Sequence, residues 1–169
     1  MKRKFVISLL AAAMFAASDP WPARDLLPPA DLVAMKPRPA IFYVGFPVLY
    51  RAAHIPNAVL AGPCSKPEGL DLLTKALRPL PRNREIVLYC GCCPFQKCPN
   101  IRPAYQAAAN LGFSPIRVLV IETNLHTDWT AKGYPLARRR LLNCYARGEA
   151  VCRSPFLSLQ FLPGAGSSF

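Results

Sequence analysis

Residues 89–103 read YCGCCPFQKCPNIRP and join a predicted strand to a predicted helix through four cysteines. The run Ile86 to Tyr89 is β-branched and aromatic, which is typical of a buried strand. Pro103 suits the first turn of a helix, because it lacks only an N–H group that would be unpaired there. Apolar residues then recur at helical spacing up to a stop at Gly112, namely Ala104, Ala107, Ala108 and Leu111. A cysteine-rich loop at a strand–helix junction is therefore expected.

The position of this loop predicts thiolate chemistry. Backbone N–H groups are unpaired in the first turn of a helix, and the helix dipole is positive there. Such a helix start binds anions and lowers the pKa of a nearby thiol. With the loop curled round it, Cys90 is the thiol that we expect to be affected.

The rest of the chain alternates predicted strands and helices. Strands are expected over 40–45, 59–61, 86–89 and 116–121, and helices over 69–80 and 103–111. Residues 19–37 are predicted to be an extended lead-in with one short helical turn over 29–35. This alternation predicts an α/β domain with a parallel sheet, and 169 residues suffice for one such domain with its own core.

The first 18 residues have the pattern of a secretory signal peptide. Lys2, Arg3 and Lys4 precede an uncharged apolar run from Phe5 to Ala17, and small residues precede a cut before Asp19. This run is too short for a membrane span, which needs about 20 residues. We expect export to the periplasm or the medium, with no stable membrane span after cleavage. An uncleaved anchor or a buried helix is the alternative.

The net charge indicates which kinds of partner to expect, and the number of cysteines indicates how many can be paired. Removal of the signal takes away three cations and lowers the net charge from +12 to +9. The protein that remains is still strongly basic, which favours small anionic substrates. Arg138-Arg139-Arg140 suggests a solvated face more than a nucleic-acid site, and no nucleic acid is expected. Residues 138–169 are predicted to be a weakly ordered basic tail, in which Cys144 and Cys152 form a local disulfide or have no role. Seven cysteines in an exported chain leave at least one unpaired.

Three landmarks follow one another between residues 38 and 137. They are HIPNA at 54–58, the strand that ends in Tyr89-Cys90, and Trp129 followed by Gly133-Tyr134-Pro135. In this order they resemble the rhodanese-like (sulfurtransferase) superfamily. The chain is also similar to an exported bacterial branch of this superfamily. The similar stretches are VGFPVLYRAAHIPNAVLAGP at 44–63, CGCCP at 90–94, CPN at 98–100 and RPA at 102–104.

This resemblance implies a fold and a chemistry. The fold is a rhodanese-like single α/β domain over 38–137, with a five-stranded, mostly parallel sheet, helices on both faces and an active-site loop after the fourth strand. The nucleophile of the family is the first loop cysteine, which corresponds to Cys90. It takes sulfur from a donor such as thiosulfate, holds it as a persulfide and passes it to an acceptor thiol or to cyanide.

The sequence departs from the family pattern in several places. The loop is longer than usual, since 12 positions separate Cys90 from the first arginine, Arg102. Gln96 stands where a phosphatase-like Cys-x5-Arg cradle requires arginine, which argues against phosphatase chemistry. Tyr43-Val44-Gly45 replaces the usual Asp-Val-Arg after the first strand, and Ala53 replaces the glycine before His54. These departures affect the activity more than the fold.

The loop cysteines support three interpretations. In the favoured one, Cys90 forms a persulfide, and Cys92, Cys93 or Cys98 modulates it or resolves it as a disulfide. In the second, the four thiolates bind a soft metal ion, zinc or copper(I), although adjacent cysteines seldom ligate one tetrahedral ion. In the third, Cys92 or Cys93 pairs with Cys98 and pins the loop of a non-catalytic binding domain.

Other residues receive supporting roles. Arg102 is expected either to hold an anion or to be a surface residue, and the resemblance makes His54 a structural residue that bonds its turn. Asp128 is predicted to cap the helix that carries Trp129, which packs in the core with Tyr134 at its edge. Cys64 is expected either to lie close to the cysteine loop or to be a free or locally paired thiol apart from it.

The sequence therefore predicts an exported protein that performs thiol-based sulfur transfer, or related thiol redox chemistry, at Cys90. The expected partners are a small anionic sulfur donor and a thiol acceptor, for which a protein thiol is one candidate. No cofactor is expected.

Overall fold

Five short parallel strands form the sheet of the computed structural model, which describes residues 21–138. The strands lie in the order β1-β5-β4-β2-β3, so that β4 is central. Their bounds are β1 Leu26–Leu27, β2 Ala40–Tyr43, β3 Val59–Leu60, β4 Ile86–Tyr89 and β5 Ile116–Leu119. The predicted signal over 1–18 and the tail from 139, with Cys144 and Cys152, lie outside the described residues.

The central strand has the sequence expected of its position. All four residues of β4 are buried, because helices cover both faces of the sheet. Tyr89 at the end of β4 lies opposite Tyr43 at the end of β2. The carboxyl ends of these two strands therefore meet at one edge of the sheet, where the loop of 89–103 begins.

Four α-helices connect the strands. They are α1 Pro29–Ala34, α2 Pro47–Ala52, α3 Pro67–Leu77 and α4 Ile101–Asn110. Proline occupies the first turn of α1, α2 and α3, where its missing N–H group costs no hydrogen bond. The helix predicted over 69–80 thus begins two residues earlier and ends at Leu77, and the one predicted over 103–111 begins at Ile101.

The core consists of two clusters, one on each face of the sheet. On one face, α3 and α4 bury Leu73, Leu77 and Ala104 against Leu88 and Val118. On the other face, α1 and the residues around Trp129 pack against alternate side chains of the same strands, including Ile41, Val87 and Leu119. The predicted α/β sheet is confirmed, and every described strand pair is parallel.

One strand lies where only an extended lead-in was predicted. Leu26 and Leu27 pair with Val118 and Leu119 and form the edge of the sheet beside β5. The short helix expected in this segment is present as α1. Among the described residues, no helix is both long and apolar enough to cross a bilayer.

Candidate active site

The cysteine loop leaves the end of β4 and reaches α4 through a short 3-10 turn at Phe95–Lys97. Two backbone hydrogen bonds hold it to the segment after β5. The N–H of Phe95 donates to the carbonyl of Ile121 at 2.8 Å, and the N–H of Leu125 donates to the carbonyl of Gly91 at 2.8 Å. The loop is therefore fixed at both of its ends and in its middle.

Four thiols converge inside this loop. The Sγ atom of Cys90 lies 3.2 Å from that of Cys92, and the latter lies 3.4 Å from the Sγ atom of Cys93. The Sγ atom of Cys98 lies within 4.8 Å of those of Cys90 and Cys92. All of the described cysteines are free thiols, and no disulfide joins any of them. The loop thus folds the predicted site cysteines into one cluster.

The start of α4 meets Cys98 rather than Cys90. A hydrogen bond from the Cys90 thiol and backbone N–H groups of Asn100 and Ile101 lower the pKa of Cys98 to about 6, against the effect of burial. The hydrogen bond to Cys98, together with burial, raises the pKa of Cys90 far above the usual range of a thiol. The start of α4 thus lowers the pKa of Cys98, whereas the pKa of Cys90, where the lowering was predicted, is raised.

Asn100 connects this pair to the rest of the domain. Its side chain is almost completely buried, and its Nδ2 group lies 3.6 Å from the Sγ atom of Cys90 and 4.0 Å from that of Cys98. Its Oδ1 atom accepts the N–H of Ser65 at 3.0 Å. This hydrogen bond to the backbone fixes the orientation of the Asn100 amide. Its Nδ2 group therefore faces the two sulfur atoms.

A cavity of about 460 Å³ opens beside Cys90 and the exposed Cys92. Apolar side chains line part of its other walls, namely Leu49, Leu125 and Leu136, and polar or basic residues line the rest, namely Asn124, His126, Thr130 and Arg138. Tyr43 also lines it, and the Tyr43 hydroxyl is buried without a hydrogen-bond partner. The cavity gives a small anionic molecule a path to the sulfur atoms.

Arg102 lies elsewhere. Its side chain is exposed, its guanidinium carbon lies 6.0 Å from the centre of the Trp21 ring, and it does not line the cavity. The arginine at the cavity is Arg138, the first residue of the arginine run, and His126 also lines the wall. The anion-binding role predicted for Arg102 therefore has a better-placed candidate in Arg138.

The residues predicted to be structural make structural contacts. The Nδ1 atom of His54 lies 2.8 Å from the carbonyl of Tyr50, and its ring stacks on the Tyr50 ring. Asp128 is not the N-cap that was predicted, because it lies inside the helical turn His126–Thr130; its carboxylate instead accepts the N–H groups of Thr123 and Asn124 in the loop before that turn. Trp129 is fully buried, and its Nε1 group donates to the carbonyl of Pro135 at 2.8 Å.

Cys64 lies apart from the cluster of four. It is buried, and its Sγ atom lies 3.6 Å from the carbonyl oxygens of Gly62 and Gly69. Burial raises its pKa to about 12, with a smaller contribution from Cys98. This thiol therefore stays protonated and belongs to the core.

The arrangement so far is a cysteine loop at the end of the central strand of a five-stranded parallel sheet. The family model of the Rhodanese-like domain matches residues 29–120, more than half of the chain. The chain belongs to the rhodanese-like domain family. The resemblance inferred from the ordered landmarks is thereby confirmed at the level of the family.

Solved structures agree with this rhodanese-like fold. The Alr3790 protein from Anabaena sp. superimposes with a TM-score of 0.51 and 21% identity, over 66% of this chain and 82% of that one. The BH2092 protein from Bacillus halodurans gives a TM-score of 0.50 and 19% identity, over 67% of this chain and 76% of that one. At these identities the likeness concerns the fold alone. None of the curated proteins matches the chain.

Two residues of the site were missed in the sequence. Tyr43 stands in the replaced Asp-Val-Arg motif, so that its departure from the family pattern was the available signal. Asn100 follows Pro99 in a loop, and nothing in the sequence distinguishes it from a helix-capping asparagine. Only the folded loop shows that its side chain faces sulfur.

Proposed function

We propose that this rhodanese-like domain transfers sulfane sulfur through a persulfide on Cys90. The observation that carries the proposal is the cluster of the Cys90, Cys92 and Cys98 sulfur atoms, which lie within 4.8 Å of one another, with Cys90 and Cys92 at the wall of an open cavity. A nucleophilic cysteine has to lose its proton at the moment of attack, and a thiolate in hydrogen-bond contact is a base that accepts it.

The first step charges Cys90 with sulfur. The proton of the Cys90 thiol moves to Cys98, and the Cys90 thiolate attacks the outer sulfur of a donor such as thiosulfate. The sulfur–sulfur bond of the donor breaks, sulfite leaves with the electron pair, and a persulfide remains on Cys90. The N–H groups of Asn100 that face Cys90 stabilise the developing charge.

The second step returns Cys90 to its thiol form. A thiolate of the acceptor attacks the outer sulfur of the persulfide, takes it up and releases the Cys90 thiolate, which regains its proton from Cys98. Cys92 provides a second outcome, because its Sγ atom lies 3.2 Å from that of Cys90. Attack of Cys92 on the inner sulfur releases hydrogen sulfide and leaves a Cys90–Cys92 disulfide, which an external thiol reduces.

Sulfur loading of the reduced protein tests the proposal. We expect thiosulfate or glutathione persulfide to add the mass of one sulfur atom to the peptide that contains Cys90, with one sulfite released for each thiosulfate consumed. Cys90→Ser abolishes the addition, and Cys93→Ser, which removes a thiol that does not contact Cys90, preserves it. Absence of added sulfur with both donors in the wild-type protein would refute sulfur transfer.

The cavity suits the proposed partners. Arg138 at its wall favours an anionic donor. The neighbouring surface of α2 exposes Phe46, Val48 and Leu49, which fits an acceptor thiol in apolar surroundings. On this proposal Arg138→Glu raises the KM for thiosulfate more than the KM for an uncharged acceptor thiol. Equal effects on both would argue against an anion-guiding role.

A soft-metal site is the second candidate, because the Sγ atoms of Cys90, Cys92 and Cys98 all lie within 4.8 Å of one another. Thiolates select copper(I) or zinc, and sulfur lies about 2.3 Å from zinc, so such a triad requires only small movements to share one ion. Anaerobic copper(I) titration against a competing chelator tests it. A single tight site that Cys92→Ser weakens and Cys93→Ser preserves would support metal binding, and equal binding by all three proteins would exclude it.

We also propose that the protein is exported, on the signal-like pattern of residues 1–18. The cleavage site expected before Asp19 makes this testable. N-terminal sequencing of the protein from a periplasmic or extracellular fraction should begin at Asp19. Recovery of the full chain with Met1 in the cytoplasmic fraction would contradict export.

A further inference from the structure

The Tyr43 hydroxyl has no hydrogen-bond partner although its side chain is only 1% exposed. Among the described residues it is the one buried side-chain polar atom in this condition. Burying a hydroxyl without a partner is costly, so natural proteins retain such groups where a ligand or a solvent molecule completes them. The Tyr43 hydroxyl therefore points to an acceptor that the resting protein does not supply.

The surroundings of Gly45 indicate where such an acceptor would lie. A Cβ atom at residue 45 would stand 2.7 Å from the Tyr43 hydroxyl and 2.7 Å from the Sγ atom of Cys90. The hydroxyl and the sulfur therefore face the same small space, which exists because residue 45 has no side chain. Any larger residue at this position would fill it.

We propose that the Tyr43 hydroxyl donates a hydrogen bond to the outer sulfur of a persulfide on Cys90, in the space that Gly45 leaves open. This inference rests on the proposed function and adds to it a binding site for the transferred sulfur atom. It involves no further covalent step, since Tyr43 keeps its proton throughout.

The chemistry of the two groups matches. An ionised persulfide carries its charge on the outer sulfur, and hydrogen bonds to charged acceptors are stronger than those between neutral groups. Burial and the neighbouring cysteines raise the pKa of Tyr43 far above that of a free tyrosine, so that its hydroxyl is a donor at every physiological pH. The resting Cys90 thiol has no outer sulfur, so this acceptor is present only in the persulfide form.

Sulfur exchange with glutathione persulfide measures the contact. The equilibrium is between Cys90 thiol plus glutathione persulfide and Cys90 persulfide plus glutathione, and trapped species are counted by mass spectrometry. We expect Tyr43→Phe to lower the equilibrium constant for loading by about tenfold, as a lost hydrogen bond to a charged group does. Tyr89→Phe is the matched control, because its ring also packs against Tyr43 while its hydroxyl accepts the N–H of Ile55.

The possible outcomes separate this inference from the proposed function. Loading of Tyr43→Phe within twofold of the wild type overturns the role of Tyr43 and leaves sulfur transfer intact. A similar loss in Tyr89→Phe also overturns it, since the effect would then belong to the packing of the rings. Failure of the wild-type protein to load at all refutes the proposed function itself. Alkylation of the exposed Cys92 at the wild-type rate in Tyr43→Phe verifies that the loop is intact.

Discussion

Two neighbouring cysteines of this loop, Cys90 and Cys98, lie in different electrostatic surroundings. Cys98 receives backbone N–H groups from the start of α4, whereas Cys90 is buried and is met by the side-chain amide of Asn100 and the thiol of Cys92. The pKa values of the two therefore separate in opposite directions. Because the proton lies on the proposed nucleophile at rest, activation is a transfer within the pair.

This charge state makes stability depend on pH. The pKa of Cys98 is lowered from 9.0 to about 6, so that the unfolded chain binds more protons than the folded one between these values. The stabilisation is complete above pH 9 and is lost as the pH falls through about 6. We expect the difference in unfolding free energy between wild type and Cys98→Ser to grow from pH 6 to pH 9, in urea titrations under reducing conditions. A constant difference would show that Cys98 is not the thiolate.

Removal of the hydroxyl should lower the unfolding free energy at Tyr89 but not at Tyr43. Tyr89→Phe leaves the buried N–H of Ile55 without its partner at 2.9 Å, which costs about 1–3 kcal/mol of stability. Tyr43→Phe removes a hydroxyl that has no partner, so its unfolding free energy should stay within about 0.5 kcal/mol of the wild type or rise. Chemical denaturation of both variants measures the contrast. A large loss in Tyr43→Phe would reveal a partner in the resting protein.

At this scale the sequence located the chemistry but not its electrostatics. The strand before Cys90 and the ordered landmarks were sufficient to identify the loop. Spacing alone could not say which thiol meets the helix start, because that depends on how residues 91–97 turn. Tyr43 was invisible for a similar reason, since its hydroxyl reaches the site from a neighbouring strand.

The loop itself is shaped by one left-handed residue. Gly91 has a φ of +79°, which turns the chain between Cys90 and Cys92 so that their sulfur atoms come within 3.2 Å. A Cβ atom at residue 91 would lie 3.0 Å from the Cβ atom of Leu125, on the segment that holds the loop. Glycine is therefore required here both by the backbone and by the neighbouring loop.

A pair of glycine variants separates these two requirements. Gly112 has a φ of +81°, and a Cβ atom there would meet nothing within 4 Å. Gly91→Ala and Gly112→Ala should each lose about 1–2 kcal/mol through the left-handed backbone. Only Gly91→Ala should also slow the formation of the Cys90–Cys92 disulfide under mild oxidant, followed by loss of free thiol. Equal disulfide rates would show that the turn at residue 91 does not set the sulfur contact.

Among the strands, those with a local apolar run were predictable and β1 was not. The four-residue strands β2, β4 and β5 and the amphipathic helices α3 and α4 all lie within two or three residues of their predicted bounds at their starts or ends. β1 has two residues, too few to show any period, and only pairing with β5 makes it a strand. Its assignment depends on tertiary contact, which no local pattern contains.

For the whole molecule, the segment before residue 38 is part of the packed structure. Trp21, Leu27 and Leu32 are all buried, and the Trp21 ring lies 5.8 Å from that of Phe95 in the cysteine loop. Tyr105 on α4 also bonds Asp25 across this segment. The N-terminal segment therefore supplies the edge strand β1 of the sheet and packs against the cysteine loop.

Two truncated chains test how much the domain depends on that segment. Loss of one buried leucine or tryptophan side chain costs about 2–5 kcal/mol, and the total stability of a domain is about 5–15 kcal/mol. A chain of residues 38–138 lacks three such side chains and leaves the edge of β5 unpaired, so we expect no cooperative urea transition. A chain of residues 21–138 retains them and should unfold cooperatively. Equal transitions for both would place the domain boundary at residue 38 and make the N-terminal segment a mere cover for the loop, because the remaining four strands would then suffice as a core.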